Sequence, residues 1–263
     1  MPSKTYMGYR QADRDMPYAA FFNEKIAAIP DSVSRALARS PFPKGTFPDL
    51  ERVTELQNAG YAAVENGFSL EQDGSLRVAA LTPMHRVTPP MLDWWFGWHG
   101  SANSRYKLWH PKAHRSARWQ DGSDDDTHYI GRTSIIEEYI GKKMEKAAIR
   151  FIAPTELGLA IENKDQAVYI CARVGYAHFP IDFGWLVHQV RLSANGAEMR
   201  SRFWMGGRHI QVRWKWLPGI FSLLLQKAIK LPKQQGIDLL THCAEEMQHL
   251  AGFLPDIYEA YQA

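Results

Sequence analysis

The strongest structural signal in the sequence is a β-hairpin centred on Asn195-Gly196. Asn-Gly is the preferred dipeptide of two-residue turns between antiparallel strands, and residues alternate in polarity on both sides of it. Each strand has one mostly apolar face, formed by Leu186, His188, Val190 and Leu192 in the first and by Met199, Ser201, Phe203 and Met205 in the second. Pairing about this turn predicts that His188 lies opposite Phe203. This part of the chain is therefore expected to form an antiparallel sheet.

Other strand-like segments, rich in Ile, Val and Tyr, occupy residues 75–81, 127–140, 146–152, 167–174 and 209–216. Helical patterns follow at 219–230 and 238–252, and Gly252 is a typical helix stop. A shorter helix, opened by proline, is predicted over 89–99. This order predicts an α+β fold of the helix-grip (START-like) type. In such a fold a long C-terminal helix crosses a curved antiparallel sheet, and an aromatic-lined cavity opens between them.

The first 74 residues have a different texture, with few long apolar runs. Helices are predicted from Asp31 and over 49–59, with a Pro- and Gly-rich loop at 41–48 between them. We expect residues 1–74 to form a small N-terminal domain or an oligomerisation arm, and residues 75–263 to form the helix-grip domain.

The overall composition is that of an ordinary globular protein, with 45% hydrophobic and 22% charged residues. The net charge of +3 is spread along the chain, unlike the basic stripe of a nucleic-acid-binding protein. The two cysteines form no disulfide framework, and no apolar signal segment opens the chain. The run 217–225 is too short to cross a membrane and contains Pro218 and Gly219. We expect a cytoplasmic protein that binds neither nucleic acid nor membranes.

One candidate site lies on the last predicted helix, where His242 and Glu246 are four residues apart and point the same way. They flank an apolar face centred on Leu240, Cys243, Met247, Leu250 and Leu254. Glu245 falls on the opposite side and is expected in water. The pair can face a cavity and bind a metal, although a histidine bonded to a carboxylate would show the same spacing without one.

A second pair, His110 and His114, surrounds Pro111, which makes a regular helix unlikely there. One histidine can bind a metal while the other orients it or contacts a substrate, and the spacing leaves the choice open. Glu137 and Glu138 point to opposite faces of their predicted strand, so one of them shares a face with apolar residues and needs a cationic partner.

Four motifs resemble the family of 2,4-diacetylphloroglucinol hydrolases and phloretin hydrolases. They are 91–96 with Trp98-His99, then 105–114, then 131–141, and finally His242 with Glu246. The resemblance covers most of residues 75–263 and is loose in the N-terminal region. It implies a hydrolase acting on carbon–carbon bonds in ketonic substances, which separates an acyl carbonyl from a phloroglucinol ring, and it suggests a homodimer.

Carried over residue by residue, the resemblance implies one zinc ion held by His114, Glu138, His242 and Glu246. It also implies that Tyr106 binds a ring hydroxyl and that His188 transfers protons, whereas His188 alone would more often be a buried core histidine. His110 is the competitor of His114 and a further catalytic candidate, as Glu137 is the competitor of Glu138. At Phe203 the family pattern leads us to expect a second phenol-binding tyrosine, so its absence leaves the usual substrate open.

The expected partner is therefore a small phenolic acyl compound, between walls that Trp94, Trp95, Trp98 and Trp109 can supply, although core packing would also explain some of these residues. Two other functions suit the same fold. A carrier of aromatic or hydrophobic ligands would need no metal, and an aromatic polyketide cyclase or dehydratase could act through His188 alone.

Overall fold

A single antiparallel sheet forms the framework of the protein in the computed structural model, which describes residues 8–214 and 219–262. The strand order is β1-β2-β8-β7-β6-β5-β4-β3, and β9 pairs with β7. The nine strands in the described ranges are β1 (Gly67–Leu70), β2 (Leu76–His85), β3 (His114–Trp119), β4 (Thr133–Ile140), β5 (Lys143–Ile152), β6 (Ala167–Tyr176), β7 (Ile181–Ser193), β8 (Gly196–Met205) and β9 (Gln211–Val212).

Helices cover one face of this sheet. The α-helices are α1 (Gln11–Arg14), α2 (Asp31–Arg39), α3 (Pro89–Trp98), α4 (Asn103–Trp109), α5 (Ile220–Ala228), α6 (Lys233–Ala251) and α7 (Leu254–Gln262). Short 3₁₀ segments lie at Ala19–Phe21, Leu50–Gln57, His99–Ser101, Pro154–Leu157 and Gly207–His209. Helix α6 contacts both β2 and β4, although four strands separate these two in the sheet. The sheet therefore curves around α6, and the predicted α+β arrangement is confirmed.

Helix α6 buries the apolar face that its sequence predicts. Leu240, Cys243, Met247 and Leu250 are fully buried against the sheet. The helix starts at Lys233, five residues before the predicted start, because Pro232 occupies the N-cap, where its missing N–H is tolerated. It ends at Ala251, and Gly252 follows as predicted, but the chain then enters a further helix, α7, which begins at Leu254.

The predicted hairpin forms, but its predicted register is wrong by two residues. Ser193 pairs with Gly196, so the turn residues are Ala194-Asn195 rather than Asn195-Gly196. As a result His188 lies opposite Ser201, and Phe203 lies opposite Leu186. A shift of two keeps every side chain on its predicted face, because the side-chain period of a strand is two. His188 and Phe203 thus still share the inner face, and their ring centroids are 5.7 Å apart.

Two other strand boundaries differ from the prediction. Residues 127–132 form a loop, and β4 starts only at Thr133, because the Arg132 guanidinium holds this loop through Asp121 and the carbonyl oxygen of Asp125. The strand predicted over 209–216 is limited to Gln211–Val212, after a 3₁₀ segment, and the prediction for residues 215–216 lies outside the described residues.

The N-terminal region contributes directly to the sheet. The predicted boundary after residue 74 falls in the turn between β1 and β2, so residues on both sides of it belong to one hairpin. Upstream, Glu65 forms ion pairs with Arg200 and Arg202 of β8. The division into two domains, with an oligomerisation role for the first, stays a prediction. Within residues 8–214 and 219–262, no helix combines the length and the apolar character needed to span a membrane.

Candidate metal centre and cavity

Four predicted site residues converge between the sheet and α6. His114 is the first residue of β3 and pairs in register with Glu138 of β4. His242 and Glu246 lie one turn apart on α6 and are both buried. Three of these residues, His114, His242 and Glu246, each offer one ligand atom, and these atoms lie within 4.8 Å of one another. The three residues can therefore hold a metal ion.

Glu138 completes the cluster as a fourth donor. Its Oε2 lies 3.3 Å from Nε2 of His114 and 3.6 Å from Nε2 of His242. The Oε2 atom of Glu246 lies at the same two distances, 3.3 Å and 3.6 Å, from these nitrogens. Donors around a tetrahedral zinc ion with bonds of about 2.0–2.1 Å would be about 3.3–3.4 Å apart. The spacing between the imidazoles and the carboxylates therefore fits a small divalent ion.

The tautomer of His114 also fits a metal ligand. Its Nδ1 lies 3.0 Å from the backbone carbonyl oxygen of Tyr106, which can only accept, so a neutral His114 carries its proton on Nδ1. The lone pair of Nε2 then points at the carboxylates. Nε2 is fully buried and has no hydrogen-bond partner in the described part of the chain. A ring held through Nδ1 with a free Nε2 is the usual arrangement of a ligating histidine.

The charge balance of the cluster also favours a bound cation. Two carboxylates and two neutral imidazoles would leave about two negative charges out of water, which is costly without a cation. Burial lowers the pKa of His114, but the carboxylates of Glu138 and Glu246, each 3.3 Å from Nε2, outweigh burial and raise this pKa to about 9. Burial raises the pKa of Glu138, but the nearby His114 and His242 rings hold this pKa well below its usual range. The cluster thus attracts positive charge, as protons or as a divalent ion.

The competing candidates lie elsewhere. Glu137 points away from the cluster and pairs with Lys146 at 2.8 Å and with Arg115 at 3.4 Å. Nε2 of His110 lies 3.3 Å from Glu245, and its ring stacks on that of His242, with centroids 5.1 Å apart. Glu245, expected in water, has a side chain that is only 37% exposed because it contacts His110. His110 is therefore next to the cluster without contacting its carboxylates.

A narrow cavity of about 90 Å³ opens beside the cluster. Its walls combine polar and aromatic side chains and include Phe96, His99, Tyr106, Trp109, Ser134, Ile136, Glu138, Phe151, His188, Phe203, His242 and Glu246. The Tyr106 hydroxyl donates a 2.5 Å hydrogen bond to Glu138, and its ring stacks on His114 with centroids 3.9 Å apart. Burial and the nearby Glu138 charge raise the pKa of Tyr106 well above 10, so its hydroxyl keeps its proton.

His188 lines the same cavity from β7. Its Nδ1 lies 2.8 Å from the Ser201 hydroxyl, and its ring packs between Phe96 and Phe203. Burial lowers the pKa of His188 to about 3, so the imidazole is neutral at neutral pH. A group of this kind can relay a proton between its two nitrogens but is not a store of positive charge.

Three of the four candidate wall tryptophans lie outside the cavity, and one of them packs in the core as the alternative predicted. Only Trp109 lines the cavity, whereas Trp95 is completely buried in the core, and Trp94 and Trp98 line a groove on another side of the molecule. Phenylalanines take the place of the missing indoles, because α3 turns its Phe96 inward and β5 and β8 present Phe151 and Phe203. Sequence reasoning also gave no role to His99 and Ser134, although both lie within motifs it had singled out.

Comparison with known proteins agrees with the resemblance seen in the sequence. The sequence model of the family described as "DAPG hydrolase PhiG domain" matches residues 47–259. A 2,4-diacetylphloroglucinol hydrolase from Pseudomonas protegens is 27% identical over 281 residues, which cover 98% of this chain and 89% of that protein. A phloretin hydrolase from Eubacterium ramulus is 25% identical over 263 residues, which cover 96% of this chain and 93% of that protein. These matches confirm the predicted resemblance.

Solved structures are similar only at a distance. A hypothetical protein from Helicobacter pylori has a TM-score of 0.41 at 10% identity, covering 70% of this chain and 89% of that one. A START superfamily protein from Mycobacterium smegmatis has a TM-score of 0.35 at 10% identity, covering 70% and 98%. At this level of similarity, only the sequence relatives bear on the activity.

Proposed function

The chain belongs to the DAPG hydrolase PhiG domain family, and from this membership we propose that it is a zinc-dependent hydrolase of acylated phenols. It would cleave the carbon–carbon bond between an acyl carbonyl and a phloroglucinol-type ring. The names of its relatives, a 2,4-diacetylphloroglucinol hydrolase and a phloretin hydrolase, support this substrate class. The single observation that carries the proposal is the buried cluster of two imidazoles and two carboxylates at the cavity wall.

In this proposal His114, Glu138, His242 and Glu246 hold the metal. Two neutral imidazoles and two carboxylates are a donor set that suits zinc. When bound, zinc would polarise the acyl carbonyl and make water more acidic. Tyr106 keeps Glu138 oriented through its hydrogen bond, and the backbone carbonyl of Tyr106 keeps His114 in the ligating tautomer.

The reaction consumes one water molecule. Its oxygen joins the acyl carbon, the bond from that carbon to the ring breaks, and the ring carbon receives a proton. The chain must therefore accept a proton from water and deliver one to the ring. Glu138 lines the cavity and is one candidate for these transfers. His188 is the second candidate and would relay a proton as a neutral imidazole.

A direct test is incubation of the purified protein with phloretin and with mono- and diacetylphloroglucinol. We expect phloroglucinol and the matching carboxylic acid from at least one of these ketones. His242→Ala and Glu246→Ala variants that keep their fold should release neither product. Tight binding of a ketone by the wild type without any cleavage would favour the carrier. Cyclisation or dehydration of an aromatic polyketide that survives a chelator would favour the cyclase or dehydratase.

The adjacent glutamates allow a matched test of the metal centre. Glu138→Gln removes one carboxylate of the cluster, whereas Glu137→Gln removes a carboxylate that pairs with Lys146 outside it. After purification without added metal, we expect near-stoichiometric zinc in the wild type and in Glu137→Gln, and much less zinc in Glu138→Gln. Equal zinc contents in the two variants would remove Glu138 from the ligand set. The cytoplasmic location and the homodimer stay predictions.

A further inference from the structure

The cavity wall includes a third histidine, besides His188 and His242, that has no role in the reaction described above. His99 follows α3 directly, is 3% exposed, and lines the cavity together with Tyr106 and Trp109. Its ring centroid lies 6.0 Å from that of Tyr106, with the two planes 27° apart. Tyr106 also stacks on the candidate metal ligand His114, so one tyrosine ring contacts both that residue and His99.

The hydrogen bonding of His99 leaves one nitrogen free. Nδ1 lies 2.8 Å from the backbone carbonyl oxygen of Trp95, so Nδ1 carries a proton and donates it to that oxygen. Burial lowers the pKa of His99 to about 3, and the ring is therefore neutral at neutral pH. Nε2 is then a hydrogen-bond acceptor. None of the described residues gives it a hydrogen bond, and it belongs to a side chain on the cavity wall.

Nearby polar atoms support a built polar subsite. The Ser134 hydroxyl and the Trp109 indole N–H are buried, line the same cavity and have no hydrogen-bond partner among the described residues. Buried polar atoms are rarely left unpaired, since each one costs free energy comparable to a lost hydrogen bond. The Tyr106 hydroxyl, in contrast, already donates to Glu138 and is not free to pair with a ligand in the same way.

We propose that His99 is a substrate-binding residue whose Nε2 accepts a hydrogen bond from the ring hydroxyl opposite the acyl group. The inference rests on the proposed function and makes it more specific. In this role, His99 would favour ketones that carry a hydroxyl at this ring position over ketones that lack it. A site that pairs a substrate hydroxyl rejects the analogue without it, because its own polar group is then left unpaired.

Two conservative variants separate the nitrogens of His99. Asn places its amide near Nδ1 and can still donate to the Trp95 carbonyl, but it has no atom near Nε2. Gln places its amide near Nε2 and can restore the acceptor. His209→Asn is the matched control, since His209 is also buried, at 5% exposure, and does not line the cavity.

The measurement is kcat/KM for 2,4,6-trihydroxyacetophenone and for 2,6-dihydroxyacetophenone, which lacks the hydroxyl opposite the acyl group. We expect His99→Asn to reduce the preference for the trihydroxy ketone by about tenfold or more, the value of one good hydrogen bond. His99→Gln should recover part of this preference, and His209→Asn should leave it unchanged. Zinc content should stay the same throughout. An equal loss of kcat/KM for both ketones in His99→Asn, or no loss for either, overturns the assignment.

Binding of phloroglucinol, measured by calorimetry, separates this inference from the proposed function. If the wild type cleaves neither ketone, the proposed function fails. The role of His99 is then upheld if phloroglucinol binds about tenfold more weakly to His99→Asn than to the wild type and to His209→Asn. Equal binding to wild type and His99→Asn, or no binding to the wild type, overturns it.

Discussion

At His114, one backbone hydrogen bond determines which ring nitrogen faces the two carboxylates. The carbonyl of Tyr106 accepts from Nδ1, and Nε2 is left free in a fully buried position. The same tyrosine donates its hydroxyl to Glu138 and stacks on the His114 ring. Tyr106 therefore supports two members of the cluster at once, through its backbone, its hydroxyl and its ring.

The Tyr106→Phe variant tests the hydroxyl alone, because phenylalanine keeps the stacking on His114. Partners that orient metal ligands typically contribute about 10–100-fold to metal affinity or activity, and we expect a loss in this range. Zinc affinity and kcat on an acylphloroglucinol are the quantities to measure. Tyr129→Phe is the control, since its buried hydroxyl donates to Asp93 at 2.7 Å outside the cavity. Comparable losses in both variants would mean that the effect comes from general destabilisation.

At the scale of elements, the close approach of the β4–β5 turn to α6 brings Glu138 to His242 and Glu246. Gly141 in this turn has a φ of +62°, and a Cβ there would collide with the Asp238 carboxylate of α6. Glycine therefore suits the left-handed backbone, and a methyl group here would also displace the Asp238 carboxylate.

Gly141→Ala should therefore strain this turn and displace the Asp238 carboxylate of α6. We expect a stability loss of more than about 1 kcal/mol and weaker zinc binding. Gly122→Ala is a matched control, because Gly122 has a similar φ of +73° but no neighbour within 4 Å of the point where an alanine Cβ would lie. It should lose stability only through backbone strain. Chemical denaturation and zinc titration of both variants measure the difference, and equal zinc affinities would contradict the proposed role of the turn.

At the scale of the whole molecule, a buried ion-pair group ties the N-terminal region to the outer face of the sheet. Glu65 contacts Arg200 at 2.7 Å and also pairs with Arg202. Burial raises the pKa of Glu65, but the hydrogen bond from Arg200 and the charge of Arg202 outweigh burial and lower it below 4.5. The ionised carboxylate thus stabilises the folded state above the unfolded pKa of about 4.3, and this contribution is lost as pH falls through the folded pKa.

Glu65→Gln should accordingly destabilise the protein at pH 7, and its difference in unfolding free energy from the wild type should narrow as the pH falls through the lowered folded pKa of Glu65. The stabilities converge because the wild type, once its Glu65 carboxylate is protonated, also lacks the negative charge. Urea unfolding across this pH range is the measurement. Glu55→Gln removes an exposed partner of Arg52 and should change stability little at any pH. If the stability difference between Glu65→Gln and the wild type did not change with pH, the charge of Glu65 would not be the cause of the destabilisation.

The sequence by itself determined the elements and the faces of their side chains. Periodicity alone placed His242 with Glu246 on one side of α6 and put Glu137 and Glu138 on opposite faces of β4, because these relations depend only on local geometry. The motifs were also sufficient to predict the family, which the comparisons confirmed.

Only the tertiary structure determined which of the alternative histidines and glutamates lie close together. The choice of His114 and Glu138 over His110 and Glu137 follows from the pairing of β3 with β4 and from the curvature of the sheet around α6. The hairpin register, the phenylalanine walls and the position of His99 beside Tyr106 likewise depend on long-range packing. Residues far apart in the chain meet only when the whole sheet curves around the helix, and no local sequence pattern predicts which of them will be in contact.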